Sequence, residues 1–108
     1  MNAWLILILS ILVEVCGTTC MKLSNGFTKL VPSVAVFVFY GLSFWGFSLA
    51  LKKQLELGLA YAVWAGVGTA LVALIGFIFF GDRVTALKLV SMLLIIAGVI
   101  GLKFSSPA

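Results

Sequence analysis

One carboxylate interrupts an otherwise apolar run at the start of this sequence. Leu5 to Met21, LILILSILVEVCGTTCM, carries Glu14 near its middle. A helix of about 17 residues rising about 1.5 Å per residue covers most of a bilayer core of roughly 30 Å, so Glu14 is expected close to mid-membrane. An ionised group there costs at least about 3 kcal/mol on insertion scales, so a partner, a proton or a wet cavity must compensate it. No Lys or Arg lies within the run to neutralise it. Steps of three and four from Glu14 give Leu7, Ser10, Ile11, Gly17, Thr18 and Met21, a strip small and polar at its centre. Such a strip lines something polar or packs closely on other helices. A carboxylate of this kind binds protons or cations, and the competing reading is a structural acid hydrogen-bonded inside a bundle.

Aromatic residues give the site its second chemical character. Tyr40 and Phe44 share one helical face, as do Tyr61 and Trp64, three residues apart. Aromatic faces attract cations most strongly where water is excluded, and quaternary ammonium groups suit them. Carboxylates ringed by Tyr and Trp form a site for a lipophilic organic cation. Tyr61 and Trp64 also fit an interfacial aromatic belt, because they follow Leu57 by only about 6 and 10 Å of helical rise. No nucleophile–base pair or cofactor motif accompanies Glu14, which argues against an enzyme. Cys16 and Cys20 stand four apart in a chain without His, so no metal site or redox function follows from them.

The elements that must hold these residues are transmembrane helices. Of 108 residues, 64% are hydrophobic and only 9% charged, outside the range of soluble domains. The first span lacks the basic flank of a signal peptide and is expected to be retained. The pattern predicts an all-α integral membrane protein forming a single domain over 1–108, with spans at about 4–21, 32–51, 57–80 and 86–104. Pro32 suits the first turn of the second span. In the third, Gly66 and Gly68 permit a bend that neighbouring helices satisfy. The net charge of +4 comes from basic residues at span ends, where they meet lipid headgroups, so the basic balance does not signal nucleic-acid binding.

Four helices cannot alone enclose a cavity with a path on each side, so a homo-oligomer is implied, and a dimer is the smallest assembly that covers Glu14. Two Glu14 carboxylates then share one cavity. The fourth span supplies a contact: Ser91 and Gly98 lie on nearly the same face, with Leu94 between them, and small residues allow close helix approach in lipid. Lys52, Lys53 and Lys103 fall on one side of the membrane, and Lys22, Lys29, Arg83 and Lys88 on the other. This near balance gives the positive-inside rule no direction to choose, so insertion in both orientations is expected.

The stretches Glu14-Val15-Cys16-Gly17-Thr18-Thr19-Cys20-Met21-Lys22, Ser24-Asn25-Gly26-Phe27-Thr28, Pro32-Ser33 and Ala60-Tyr61-Ala62-Val63-Trp64-Ala65-Gly66-Val67-Gly68 resemble the small multidrug resistance family of bacterial exporters. Gly-Thr-Thr after the glutamate is similar to the quaternary-ammonium branch, whereas the guanidinium branch typically has Trp where this chain has Gly17. The resemblance implies a multi-pass protein of the bacterial inner membrane, acting as an antiparallel homodimer that exchanges protons for organic cations at Glu14. It implies pocket positions at Gly17, Thr18, Tyr40, Phe44, Tyr61 and Trp64, to which the strip above adds Ser10. It also implies flexible glycines at Gly66 and Gly68. The family's dimer motif agrees at Leu94, Gly98 and Val99 and has Gly where this chain has Ser91. The second joint, Lys52 to Gly58, lacks the family's usual Pro and is one residue longer. Two alternatives stand beside cation export of this kind: export of guanidinium or a small metabolite cation such as a polyamine or betaine, and a subunit of an obligate heterodimer.

Overall fold

The computed structural model describes residues 2–105, and among these all regular structure is helical. The helices are α1 (Ala3–Leu23), α2 (Leu30–Lys52), α3 (Leu57–Phe79) and α4 (Ala86–Ser105). Each is long and apolar enough to cross a membrane. The protein is thus an all-α, multi-pass membrane protein. The chain divides into two compact units, Met1–Gln54 and Leu55–Ala108.

In the first unit, α1 opens where the Asn2 side chain accepts a hydrogen bond from the Trp4 amide at 2.7 Å, satisfying one of the unpaired donors of the first turn. The helix closes at Ser24, which is fully buried. The Ser24 hydroxyl donates to the Met21 carbonyl at 2.7 Å and accepts from the Phe27 amide at 3.0 Å. Its carbonyl receives the amides of Thr28 and Lys29 at 2.9 and 3.1 Å. Those bonds hold three successive residues in the left-handed region, Asn25, Gly26 and Phe27, with φ of 51°, 71° and 65°. A left-handed conformation is unfavourable for Phe, and the Phe27 ring is anchored 6.0 Å from that of Phe37.

The second helix starts at Leu30, two residues before the start expected at Pro32. Pro32 thereby occupies the third helical position, where an amide would still lack an intrahelical acceptor, so proline removes nothing. The first intrahelical bond of the turn runs from the Ser33 amide to the Lys29 carbonyl. Small residues set the register of the antiparallel pair. Gly17 faces Phe39 and Tyr40, while Ser10 meets Gly46 farther along. The buried residues of α2 are Val36, Ser43, Gly46 and Ala50, a stripe of mostly small side chains that lets the backbones approach.

In the second unit, α3 and α4 are joined through Gly81, at φ 70°. The amides of Phe80 and Asp82 both bond the Gly76 carbonyl, at 3.2 and 2.9 Å, and terminate α3. Thr85 starts α4 by accepting the Lys88 amide on its hydroxyl at 3.1 Å. The two helices close at Gly66, where a Cβ would stand 2.6 Å from Cγ2 of Val99. None of the residues of α4 is buried, and Leu89, Leu93, Leu94 and Ile100 are among its exposed side chains, as expected for a helix against lipid or another subunit. Every buried side-chain nitrogen and oxygen among the described residues has a hydrogen-bond partner, which a protein surrounded by hydrocarbon requires.

Candidate functional site

Glu14 lies one residue beyond the midpoint of α1 and is half-buried. Its Oε1 accepts a hydrogen bond from the Thr18 hydroxyl at 2.9 Å. One helical turn separates the two residues, so the bond follows directly from the i, i+4 spacing. The Thr18 oxygen lies 2.7 Å from the Tyr40 hydroxyl. With its own proton engaged on Glu14, Thr18 accepts from Tyr40. The result is a relay of hydrogen bonds from α2 to α1 that ends on the carboxylate.

Gly17 makes that relay possible. A Cβ there would stand 2.6 and 2.7 Å from Cδ1 and Cε1 of Tyr40, and 3.1 Å from Cβ of Phe39. Only a residue without a side chain lets the Tyr40 ring lie against α1 at this level. From the other side, the Ser43 hydroxyl bonds the Tyr40 carbonyl at 2.9 Å. Phe44 follows one turn after Tyr40, with ring centroids 6.0 Å apart and planes inclined by 41°. The arrangement joins a carboxylate and two aromatic rings on facing helices, and the carboxylate keeps its second oxygen outside this relay.

Ser10 belongs to a different place. Its hydroxyl donates to the Ile6 carbonyl at 2.8 Å, and its side chain sits against Gly46. There it borders a groove of about 480 Å³ with Leu9, Val13, Leu42 and Trp45, an apolar surface one turn away from Glu14.

The remaining candidates lie in the second unit. Trp64 is buried, whereas Tyr61 is 61% exposed, so these two residues, three apart, meet different surroundings. Gly66 and Gly68 are buried within an unbroken α3. Gly66 serves close approach, since Val99 packs over it. Of the residues expected at a helix contact, Ser91, Leu94 and Gly98 are exposed, and Val99 is half-buried facing α3.

Sequence reasoning did not single out Phe39, Ser43 or Gly46, which position Tyr40 and Ser10. The signal was present as a spacing of small residues, Ser43, Gly46 and Ala50, on the flank of α2 beside the face that draws attention by its aromatics. On that aromatic face Phe37 and Phe44 are exposed, and Tyr40 alone turns inward far enough to reach Thr18.

Comparison with known proteins identifies the family. The family described as Small Multidrug Resistance protein matches residues 2–95. The uncharacterized membrane protein YvaE of Bacillus subtilis is 50% identical over 99 residues, covering 92% of this chain and 82% of the relative. The quaternary ammonium compound-resistance protein QacF of Klebsiella aerogenes is also 50% identical over 99 residues, covering 92% and 89%. The multidrug transporter EmrE of Escherichia coli is 45% identical over 100 residues, covering 93% and 90%. With a match across most of its length and relatives at this identity, the chain belongs to the small multidrug resistance protein family.

Proposed function

We propose that this protein is a proton-coupled antiporter exporting lipophilic and quaternary ammonium cations across the bacterial inner membrane, working as an antiparallel homodimer. The observation that carries the reading is the relay Tyr40–Thr18–Glu14, which aims a lone carboxylate at the middle of a membrane-spanning helix beside two aromatic rings. The name of QacF points to quaternary ammonium compounds and that of EmrE to multidrug transport.

The mechanism follows from one site serving two ligands. A carboxylate that has taken up a proton is neutral and no longer holds a cation, and a carboxylate paired with a cation has no place for the proton. If each ligand reaches the site only after the other has left, their movements are coupled, and an inward proton gradient drives cation export. Thr18 fixes the direction of the carboxylate, and Tyr40 and Phe44 supply ring faces. Tyr61 and Trp64 extend the aromatic wall, Gly17 seats the Tyr40 ring against α1, and Gly66 and Gly68 allow α3 to bend as access alternates. All four helices act as a single transmembrane domain over 1–108. A second copy covers the site through Ser91, Leu94 and Gly98 of α4, while Val99, expected at the same contact, packs on Gly66 of its own chain. Opposite insertion of the two copies is supported by the near-even division of Lys and Arg, three against four, between the two sides.

Transport by the purified protein in liposomes under a pH gradient tests this reading, comparing a quaternary ammonium series with guanidinium, a polyamine and a betaine. Wild-type protein is expected to move the quaternary ammonium compounds best, and Glu14→Gln to assemble normally and lose gradient-driven transport. Undiminished export by Glu14→Gln would overturn the mechanism. Preference for guanidinium or a metabolite cation would replace the substrate class, and a requirement for a second gene product would replace the homodimer.

A further inference from the structure

The two helices of the second unit touch at Gly66 and Val99. The space between them is a cleft of about 500 Å³ running from Thr69 through Ala73 to Phe77 on α3. Those positions span roughly 12 Å of helix. Its walls are mostly apolar, with Thr69 and Ser91 the uncharged polar side chains, and the residues nearest the joint include two opposite charges, Asp82 and Lys88.

The charges are engaged elsewhere than with each other. The Asp82 side chain folds back onto the last turn of α3 at Gly76. The Lys88 ammonium donates to the Arg83 carbonyl at 2.7 Å and sits 5.9 Å from the Phe77 ring centroid. An ammonium has three donors, so the bond to Arg83 fixes its position and leaves others for a ligand. Asp82 lies just beyond the end of α3, and Lys88 lies in the first turn of α4. Both therefore stand at the depth of the lipid headgroups, with the apolar cleft extending from them into the hydrocarbon.

We propose that this cleft binds a phosphatidylethanolamine molecule, its phosphate on Lys88, its ammonium on Asp82 and an acyl chain between α3 and α4. Charge complementarity selects the occupant. A simple organic cation is opposed by Lys88, and a purely anionic headgroup by Asp82, whereas a zwitterion with its positive end bearing N–H donors matches both. Phosphatidylcholine has the same two charges, but its methylated ammonium cannot donate hydrogen bonds to a carboxylate, and charge-assisted bonds are the strong ones. This site is separate from Glu14 and does not depend on the transport reading.

The test is native mass spectrometry of the full-length protein in detergent, titrated with dioleoyl phosphatidylethanolamine, its mono- and dimethyl derivatives, phosphatidylcholine and phosphatidylglycerol. Wild-type protein is expected to retain phosphatidylethanolamine roughly tenfold better than phosphatidylcholine, the ratio set by losing a charge-assisted bond, with a stepwise fall as methyl groups are added. Asp82→Asn is expected to remove the preference for phosphatidylethanolamine over phosphatidylcholine. Lys88→Gln is expected to weaken both, and Ala73→Phe to expel all lipids by filling the cleft. Equal retention of phosphatidylethanolamine and phosphatidylcholine by wild-type protein would overturn the proposal. So would tightest binding of phosphatidylglycerol, or an unchanged preference in folded Asp82→Asn. The methylation series needs no variant and decides the matter even where a substitution impairs folding.

Discussion

The ring of Tyr40 lies against the backbone of Gly17 so closely that a methyl group at Gly17 would stand 2.6 Å from it. This contact sets the distance at which α2 presents a hydroxyl to Thr18, and through Thr18 to Glu14. Gly17→Ala is therefore expected to push Tyr40 away, with an overpacking penalty of about 1 to 3 kcal/mol, and to weaken cation binding. Tyr40→Ala in the same chain makes room for the methyl group, so the double variant is expected to be more stable than the sum of the two single changes. Thermal unfolding in detergent measures this, and strict additivity would show that the contact is not shared.

Two conservative substitutions dissect the relay. Tyr40→Phe keeps the ring and the Thr18–Glu14 bond and removes only the outer link of the relay. Thr18→Val removes both links. Each hydrogen bond contributes about 1 kcal/mol net, so Tyr40→Phe is expected to change affinity for a quaternary ammonium compound severalfold and Thr18→Val to change it further. Isothermal titration over a range of pH checks the order. A Thr18→Val protein with wild-type affinity and proton competition would remove the relay from the mechanism.

Burial distinguishes the aromatic residues of α3 before any experiment does. Trp64 is buried and Tyr61 mostly exposed, so Trp64 is the stronger candidate for the cation's aromatic wall. Trp64→Ala is expected to weaken binding of aromatic cations by about 1 to 2 kcal/mol, the range for cation–π contacts removed from water, and Tyr61→Ala to have the smaller effect. Equal losses at both positions, or none at Trp64 in a folded protein, would return Trp64 to the role of interfacial anchor.

Much of this was legible in the sequence, for physical reasons that can be named. Spans of apolar residues longer than the bilayer is thick admit little besides transmembrane helices, and Glu14 is conspicuous because hydrocarbon makes any carboxylate expensive. The i, i+4 spacing likewise places Thr18 over Glu14 without knowledge of the fold. Periodicity cannot say which neighbour a face meets. Ser10 shares a strip with Glu14 and yet turns to Gly46, because the α1–α2 crossing, which no single-helix pattern encodes, decides which side of the strip faces α2. The start of α2 at Leu30 was hidden for a similar reason: proline is tolerated throughout the first turn, so Pro32 marks a helix start only to within a few residues.

The fourth helix offers the sharpest separation between packing inside one subunit and packing between two. A Cβ at Gly98 meets nothing within 4 Å, while a Cβ at Gly66 would collide with Val99. The residues Ser91, Leu94 and Gly98 are exposed and lie along one flank of α4, with Val99 turned toward α3. A larger residue at Gly98 is thus accommodated in a single chain and obstructs only a helix arriving from outside. Gly98→Ile is expected to leave thermal stability of the monomer and its helix content near wild type while raising the dimer dissociation constant in detergent by tenfold or more, which corresponds to about 1.4 kcal/mol. Gly66→Val is expected to do the reverse in kind, disturbing the α3–α4 contact and destabilising each chain by about 1 to 3 kcal/mol through overpacking. Analytical ultracentrifugation and circular dichroism of the two variants separate the effects. A Gly98→Ile protein with a normal dimer fraction would reject this flank of α4 as the contact between subunits.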